Sequence, residues 1–441
     1  MSAAGGEVLM NPISGTYRHG EPGGSDDSDP DSCLRFLADG KETEELFMVV
    51  DEELKMMAAV CEEGGQVLGP YLKHMGHLTH TEYLLRGRSH LDVRQILRQT
   101  MFAPTVTGSP VQNAARIITR YEPGGRGYYS GVLALLGSDE HGQTLDAPIL
   151  IRTCELSAAG TFKASVGATL VRDSDPAGEV AETYAKLGGV RQALGTGAAR
   201  PGGAVDRRFD DVRIEAALAA RNETLAPFWT QRQAPAPAAE PRLRILIVNA
   251  EDEWTAMLAH QIRSLGMLAD VCAWTAIPAR PAADVVVAGP GPGDPTDAGD
   301  PRMGALRELI VDRIAQRLPL VAVCLSHQVL AAHLGMPIVK LPRSHQGTQL
   351  AIDLFGREER VGFYNSFAAT VRGGAGVVPD GVEIAADPET GVVHGLRGPS
   401  FASVQFHAES ILATYGIDIL NRLITHTLRG AGRPGGSAGA R

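Results

Sequence analysis

Leu318 to Gln328 (LPLVAVCLSHQ) carries the side chain best suited to covalent chemistry. The apolar run reads as a buried strand and breaks at Cys324. Val329, Leu330, Ala331, Leu334 and Met336 then follow at helical spacing, so the cysteine falls on a strand-to-helix turn. Such a turn exposes a nucleophile at the carboxyl edge of a parallel sheet, and the following helix N-terminus favours thiolate and a developing oxyanion. A buried packing thiol is the alternative for any isolated cysteine. A base downstream favours chemistry: the short apolar strand Phe401 to Val404 ends in Gln405-Phe406-His407-Ala408-Glu409. Two apart in an extended segment, His407 and Glu409 point the same way, and the carboxylate can orient the imidazole. Cys324, His407 and Glu409 thus form a candidate triad, whose base the cysteine needs because a free thiol is mostly protonated at neutral pH. Val285 to Ala288 runs into GPGPGDP, a loop whose glycines, Gly291 among them, let backbone approach a ligand closely; alone it reads as a turn.

A second group is acidic. Glu42 with Glu45, and Glu179 with Glu182, are pairs three apart in predicted helices, so each pair shares a helix face. Most such pairs are merely solvated, but two that converged would make a hard oxygen site of the kind magnesium takes. Arg152 ends the strand APILIRT, where a guanidinium could clamp a carboxylate in bidentate fashion. Nothing in the composition brings the two helices together.

The elements that must position these groups follow from periodicity. Glu7 to Met10, Val67 to Pro70 and Leu78 to Leu85 read as strands; Glu42 to Cys61, Leu91 to Met101, Val111 to Tyr121 and Glu179 to Leu194 as helices. Tyr128 to Leu136, Ala147 to Thr153 and Phe162 to Val171 suggest a meander in one sheet. EPGGSDDSDPD is a low-complexity loop. From Gly195 the chain loosens, with a short helix near Arg213 to Glu223, and QAPAPAAEP reads as a semi-rigid spacer. Beyond it strands and helices alternate, as in a doubly wound sheet.

The 441 residues suffice for two or three domains, and 41 basic against 51 acidic side chains give a net charge of −10 with no basic block. Nucleic acid and anionic membranes are therefore not expected partners. Five cysteines without framework spacing fit a reducing cytoplasm, and no stretch has the length and apolarity to span a bilayer.

GPGPGDP, VCLSHQ and FHAES, in that order, resemble the class I glutamine amidotransferase domain over about Leu243 to Leu428. The resemblance implies that Cys324 attacks the side-chain amide of L-glutamine, His407 protonates the departing ammonia, and a glutamyl thioester is hydrolysed. It also implies that Gly291, Gln328, Ser366 and Phe367 hold glutamine. Two departures stand beside the chemistry: Ser326 where the family has glycine, and Ala408 where it has proline.

Residues 8 to about 190 resemble the C-terminal half of the chorismate-utilising fold. The matching stretches are NPISGTYRHG, ETEELFMVVDEEL, PTVTGSP, YEPGGRGYYSG, ILIRT and VGATLVRDSDPAGEVAETYAK. The resemblance implies Mg2+ as cofactor, with Glu45 and Glu182 as principal ligands and Glu42 and Glu179 in support. It implies that Thr105, Tyr129, Arg152, Gly167 and Lys186 bind chorismate. His80, in LTHTEYLLRG, falls near the departing C4 hydroxyl as a candidate general acid, a role worth about 10²–10⁴-fold; a satisfied core histidine is its alternative. Closer wording, MNPISGTYRHG, QTMFAPTVTGSP and NAEDEWTAMLAHQ, resembles the fused phenazine-pathway 2-amino-2-desoxyisochorismate synthases more than anthranilate synthases. Those enzymes stop at amination, whereas anthranilate synthases go on to eliminate pyruvate, and both outcomes stay open.

The expected fold class is α/β. A partial chorismate-utilising α+β domain (1–194) and a linker (195–241) precede a doubly wound parallel-sheet class I glutamine amidotransferase domain (242–429) and a disordered tail (430–441). In the family a large N-terminal half precedes the strand that holds NPISGT, whereas here only Met1 to Met10 do. The expectation is therefore a fragment, a separate chain supplying the other half, or a homodimer. A glutaminase whose synthase domain is not catalytic by itself is the competing reading.

Overall fold

The computed structural model describes residues 1–18, 30–75, 78–171, 173–195, 211–233, 242–371 and 381–430. Most of the low-complexity loop, GTGAARPGG, the Pro-Ala spacer and the tail from 431 lie outside these. The chain divides into two compact units, Met1–Glu223 and Thr224–Arg441.

The first unit is built on an antiparallel sheet. Its elements are β1 (Ser2–Ala4), β2 (Glu7–Met10), β3 (Ile13–Arg18), α1 (Pro30–Leu37), α2 (Gly40–Val60), β4 (Gln66–His74), β5 (Leu78–Arg88), α3 (Val93–Gln99), α4 (Pro104–Thr107), α5 (Val111–Tyr121), β6 (Leu135–Asp139), β7 (Gly142–Asp146), β8 (Cys154–Leu156), β9 (Phe162–Ala164), α6 (Pro176–Ala193) and α7 (Val212–Ala220). β5 is the centre: β4 pairs along one edge, while β3 and β2 share the other, and β1, β7 and β6 extend the sheet beyond β2. Asp39 caps α2 by accepting from the Lys41 amide at 2.8 Å, and Asp175 caps α6 from the Gly178 amide at 2.7 Å.

Two expectations change. The proposed meander does not form: β6 pairs with β7, while β8 and β9 make a separate two-stranded sheet. No layer of the described residues covers these segments within the unit, and Leu133 (58 % exposed), Leu135 (66 %), Phe162 (55 %) and Leu170 (76 %) stand in the open. The linker is also shorter than its composition suggested. Ile214 of α7 is buried with Tyr17, Cys33 and Leu37, because Ile214, Ala217 and Leu218 make an apolar face that α1 and β4 need.

The second unit comprises α8 (Pro227–Thr230), β10 (Arg244–Asn249), α9 (Trp254–Ser264), β11 (Leu268–Ala273), β12 (Val285–Ala288), α10 (Pro301–Ala315), β13 (Leu320–Val323), α11 (Leu325–His333), β14 (Ile338–Asp353), β15 (Glu358–Ala369), β16 (Glu383–Ala386), β17 (Val393–Arg397), β18 (Phe401–Val404) and α12 (Gly416–Gly430). The sheet runs β11-β10-β12-β13-β18-β17-β16, parallel as far as β18 and antiparallel beyond. Alternation sends Ile245, Ile247, Val285, Val287, Val321 and Val323 to one face, with α9 and α12. Val248, Val286, Ala288, Leu320 and Ala322 go to the other, with α10 and α11. Both faces are therefore dry, which is why these strands read as unbroken apolar runs; each buried valine contributes roughly 1.5–3 kcal/mol. The carboxyl ends of β12, β13 and β18 bring the glycine loop, Cys324 and His407 to one edge.

Candidate functional site

Cys324 leaves β13 with φ 52° and ψ −103° before α11 begins. A non-glycine residue at positive φ is strained, and here the strain sets the thiol at the strand end. Its amide donates to the Val404 carbonyl at 2.9 Å and its carbonyl accepts from Gln328 N at 3.1 Å, so the turn is held from both sides. His407, 1 % exposed, follows β18; its Nδ1 meets Glu409 Oε1 at 2.8 Å, and Cys324 is its other side-chain partner. Burial would lower the pKa of His407, but Cys324 and then Glu409 raise it well above the ordinary value. The two partners thus favour the imidazolium form of His407. The three residues expected as a triad are brought together.

The glycine loop is fitted to this edge. A Cβ on Gly289 would lie 2.5 Å from the Val248 carbonyl, and one on Gly291 2.5 Å from the Ala250 carbonyl and 2.8 Å from Leu325. Only glycine lets the loop lie this close. Ser326, where the resemblance has glycine, donates its hydroxyl to the Gly289 carbonyl at 2.7 Å and so ties α11 to the loop. Gln328 Nε2 donates to the Phe367 carbonyl at 2.7 Å and to Gln405 Oε1 at 3.0 Å, while Ser366 Oγ meets Ser344 Oγ at 2.9 Å. Gln328 and the Phe367 carbonyl are thus linked to Cys324 through Gln405, whose Nε2 lies 3.7 Å from the sulfur, while Ser366 is bonded to Ser344 instead.

Three supporting residues escaped the sequence reading. Trp254 stacks on His407 with ring centroids 4.6 Å apart and planes 36° apart, and Tyr364 meets the same imidazole edge-on at 5.6 Å. Fully buried Trp229 donates Nε1–H to the Glu409 carbonyl at 2.8 Å, holding the acid of the triad from behind. Trp229 lies within the expected linker, 195–241.

In the first unit the two acidic helices do meet. The bulge of β3 at Ser14 to Thr16 turns three donors toward them: Ser14 Oγ to Glu45 Oε1 at 2.7 Å, Thr16 N to Glu42 Oε2 at 3.2 Å, and Thr16 Oγ1 to Glu182 Oε1 at 3.0 Å. A Cβ on Gly15 would lie 2.7 Å from Glu42 Oε2, so the residue between them must be glycine. Lys41 Nζ sits 2.9 Å from Glu45, 3.0 Å from Glu42 and 3.4 Å from Glu179, and Lys186 pairs with Glu182. Burial would raise Glu182, but Lys186, Lys41 and Thr16 hold it below the usual carboxylate range; Glu42 is raised by burial despite Lys41. As a magnesium site the donor set fits in chemistry, being four carboxylates with a buried Glu179 Oε2 that accepts no hydrogen bond among the described residues. The spacing is that of a cluster closed on ammonium groups: no three acidic, His or Cys groups among the described residues are set for direct ligation.

The residues expected to bind chorismate lie alongside. Lys186 Nζ donates to the Gly167 carbonyl at 3.1 Å, and a Cβ on Gly167 would lie 2.8 Å from the Tyr129 hydroxyl. Arg152 and Lys186 border a cavity of about 290 Å³ whose other lining includes Met75, Leu78, Val190 and Leu194. Two cations on an apolar wall suit a small anionic ring compound. The Thr105 carbonyl accepts from Thr169 Oγ1, two residues on from Gly167, at 3.1 Å, and the Thr105 hydroxyl donates to Glu53 at 3.4 Å. His80 donates Nδ1–H to the Gly15 carbonyl at 2.6 Å, so Nε2 keeps its lone pair and accepts from Arg152 at 3.3 Å. Burial first, then Arg152 and Lys186, depress its pKa to about 4. At neutral pH His80 is therefore an acceptor and holds no acidic proton to give, unlike the general acid the sequence suggests.

Residues 1–192 match the chorismate binding enzymes, and residues 246–426 match the class-I glutamine amidotransferases. A phenazine-specific anthranilate synthase from Pseudomonas chlororaphis is 49 % identical over 438 residues, covering 97 % of this chain and 67 % of that protein. The chain belongs to the anthranilate synthase family. Within the family, the phenazine-specific anthranilate synthase of Pseudomonas fluorescens is also 49 % identical, with the same coverage. The anthranilate synthase of Azospirillum brasilense is 30 % identical over 432 residues, covering 94 % of this chain and 53 % of that protein. Each of these matches runs through both units of this chain. No helix among the described residues is long and apolar enough to cross a membrane.

Proposed function

We propose that the chain performs glutamine-dependent amination of chorismate to 2-amino-2-desoxyisochorismate in phenazine biosynthesis. The observation that carries the reading is the His407 imidazolium held between Cys324 and Glu409 in a chain that also gathers four glutamates beside Arg152 and Lys186. In the second unit the Cys324 thiolate attacks the amide carbon of glutamine. The oxyanion would be met by backbone N–H groups of the first turn of α11 and by that of Gly291, since the Gly289 N–H is already given to the Val248 carbonyl at 3.0 Å. His407 gives its proton to the leaving nitrogen, releasing ammonia and a glutamyl thioester. Water, deprotonated by His407, then frees glutamate and restores the thiol.

In the first unit Arg152 and Lys186 hold the carboxylates of chorismate, ammonia adds at C2 and the C4 hydroxyl leaves. Magnesium, held by Glu45 and Glu182 with Glu42 and Glu179, would supply positive charge at a substrate carboxylate. His80 gives a proton to the departing oxygen only if it first gains one, and the anionic substrate beside Arg152 is of the sign to raise its pKa.

A second reading, a glutaminase whose first unit needs a further segment before it works, is favoured by the open side chains of Leu133, Leu135, Phe162 and Leu170. One assay separates the readings: chorismate loss with magnesium and either glutamine or ammonium, in this chain alone and with the N-terminal third of a phenazine-specific relative added. In any arm that turns over, Cys324→Ser should lose the glutamine-supported rate and keep the ammonium-supported one. No chorismate loss in any arm refutes the synthase reading, and anthranilate fluorescence in the product would show that the reaction goes past amination.

A further inference from the structure

The carboxylate cluster already contains a cation. Lys41 Nζ lies within 3.4 Å of oxygens from Glu42, Glu45 and Glu179, three of the four groups assigned above to magnesium. We infer that Lys41 is a tethered placeholder which the divalent ion must displace, so that metal binding and lysine release are one event. The inference rests on the magnesium reading of Proposed function and adds to it an exchange of cations.

The geometry supports exchange over a permanent ion pair. The Lys41 backbone is fixed by its amide bond to the N-cap Asp39 at 2.8 Å, whereas its ammonium is held only by the carboxylates of the cluster itself. Its side chain is 16 % exposed, against 7 % for Glu45 and Glu179, so the ammonium enters from the solvent rim. The position is a poor one for a resident cation, since the first turn of a helix carries the positive end of its dipole. A four-carbon stem lets the head swing out without moving the backbone. The glutamates are differently held. Ser14 and Thr16 fix one oxygen each of Glu45, Glu42 and Glu182, while Glu179 Oε2 points into the buried cluster without a hydrogen-bond partner among the described residues. One oxygen is thus left for a ligand that the ammonium does not satisfy. Four carboxylates with no cation would repel one another strongly, so a lysine that leaves only when a metal arrives keeps the cluster intact between turnovers.

The test uses the 441-residue chain and Mn2+ as probe, read by electron paramagnetic resonance of the free ion. Lys41→Met should bind Mn2+ at least about five-fold more tightly than the parent, while Lys41→Arg, which keeps the charge, should not. In the parent chain, acylation of Lys41 by an amine-reactive ester, quantified by mass spectrometry, should rise several-fold on saturation with Mn2+. Lys73, whose partner Glu82 lies outside the cluster, serves as the internal control and should not change. If the parent binds Mn2+ but Lys41→Met binds it no more tightly, or Lys41 labelling stays flat, the exchange is refuted and the magnesium reading survives. If neither chain binds Mn2+, the magnesium reading fails and the inference fails with it.

Discussion

The strain at Cys324 and the charge on His407 make one device at the residue scale. Cys324→Ser should lower glutamine hydrolysis by about 10³-fold or more, because a serine hydroxyl ionises far less readily than a thiol and is the weaker nucleophile beside His407. His407→Ala should do the same. Glu409→Gln removes one of the two groups that raise His407, so the alkaline limb of the pH–rate profile should move to lower pH and the neutral rate should drop. Glutamate release across pH 5 to about 10 reads all three; parent rates in the serine variant would end the triad assignment. In the first unit, Glu45→Gln and Glu182→Gln should each weaken metal-dependent chorismate binding, measured by titrating magnesium at fixed chorismate. An unchanged magnesium dependence in both would leave these carboxylates as ordinary partners of Lys41 and Lys186.

At the scale of elements, buried histidines make the second unit sensitive to acid. Burial pushes His327 down to about 3 and His394 down to about 4, whereas an unfolded histidine titrates near about 6.5. Below that value the unfolded chain binds more protons, so stability falls as pH drops from about 6.5 toward 4, by up to about 1.4 kcal/mol per unit for each group. His407 has the opposite sign: raised in the fold, it contributes fully below about 6.5 and loses that contribution as pH rises through its folded value. Thermal midpoints at pH 7, 5.5 and 4.5 should fall steadily, and His394→Gln should flatten the slope; a midpoint constant to pH 4.5 contradicts the assignment. Sequence made much of this unit legible because its signals are local. Cys324 sits at a change of periodicity, and His407 and Glu409 are near neighbours in the chain. Helix α5 likewise agrees with its expected bounds. What stayed hidden depends on tertiary approach: Ser14 and Thr16 reach the glutamates only through a bulge, and Lys41 meets Glu179 across most of a domain's sequence. The expected meander failed because the apolar side chains of Tyr128 to Val171 want cover, which the first unit does not provide among its described residues.

For the whole molecule, the open apolar side chains decide what the chain should do alone. On the second reading, the purified 441-residue chain should hydrolyse glutamine slowly and leave chorismate unconsumed, since Leu133, Leu135, Phe162 and Leu170 of the first unit stand exposed. Exposed apolar surface of this kind also promotes self-association. Adding the N-terminal third of a phenazine-specific relative should restore chorismate loss and reduce light scattering. Full chorismate turnover by the isolated chain would show that cover for these side chains is not needed for catalysis.

Trp229 has a consequence for anyone who cuts the gene. The Pro-Ala stretch invites a start codon near residue 242, and a glutaminase made that way discards the strip that backs its own acid. It would lose the indole donor on Glu409, the Ala226 amide on the Ile411 carbonyl at 2.7 Å, and the Thr224 carbonyl that takes Thr414 Oγ1 at 2.6 Å. The vacated indole slot alone should cost about 3–5 kcal/mol. A fragment begun at Thr224 keeps the strip, and should melt higher and hydrolyse glutamine faster than one begun at 242.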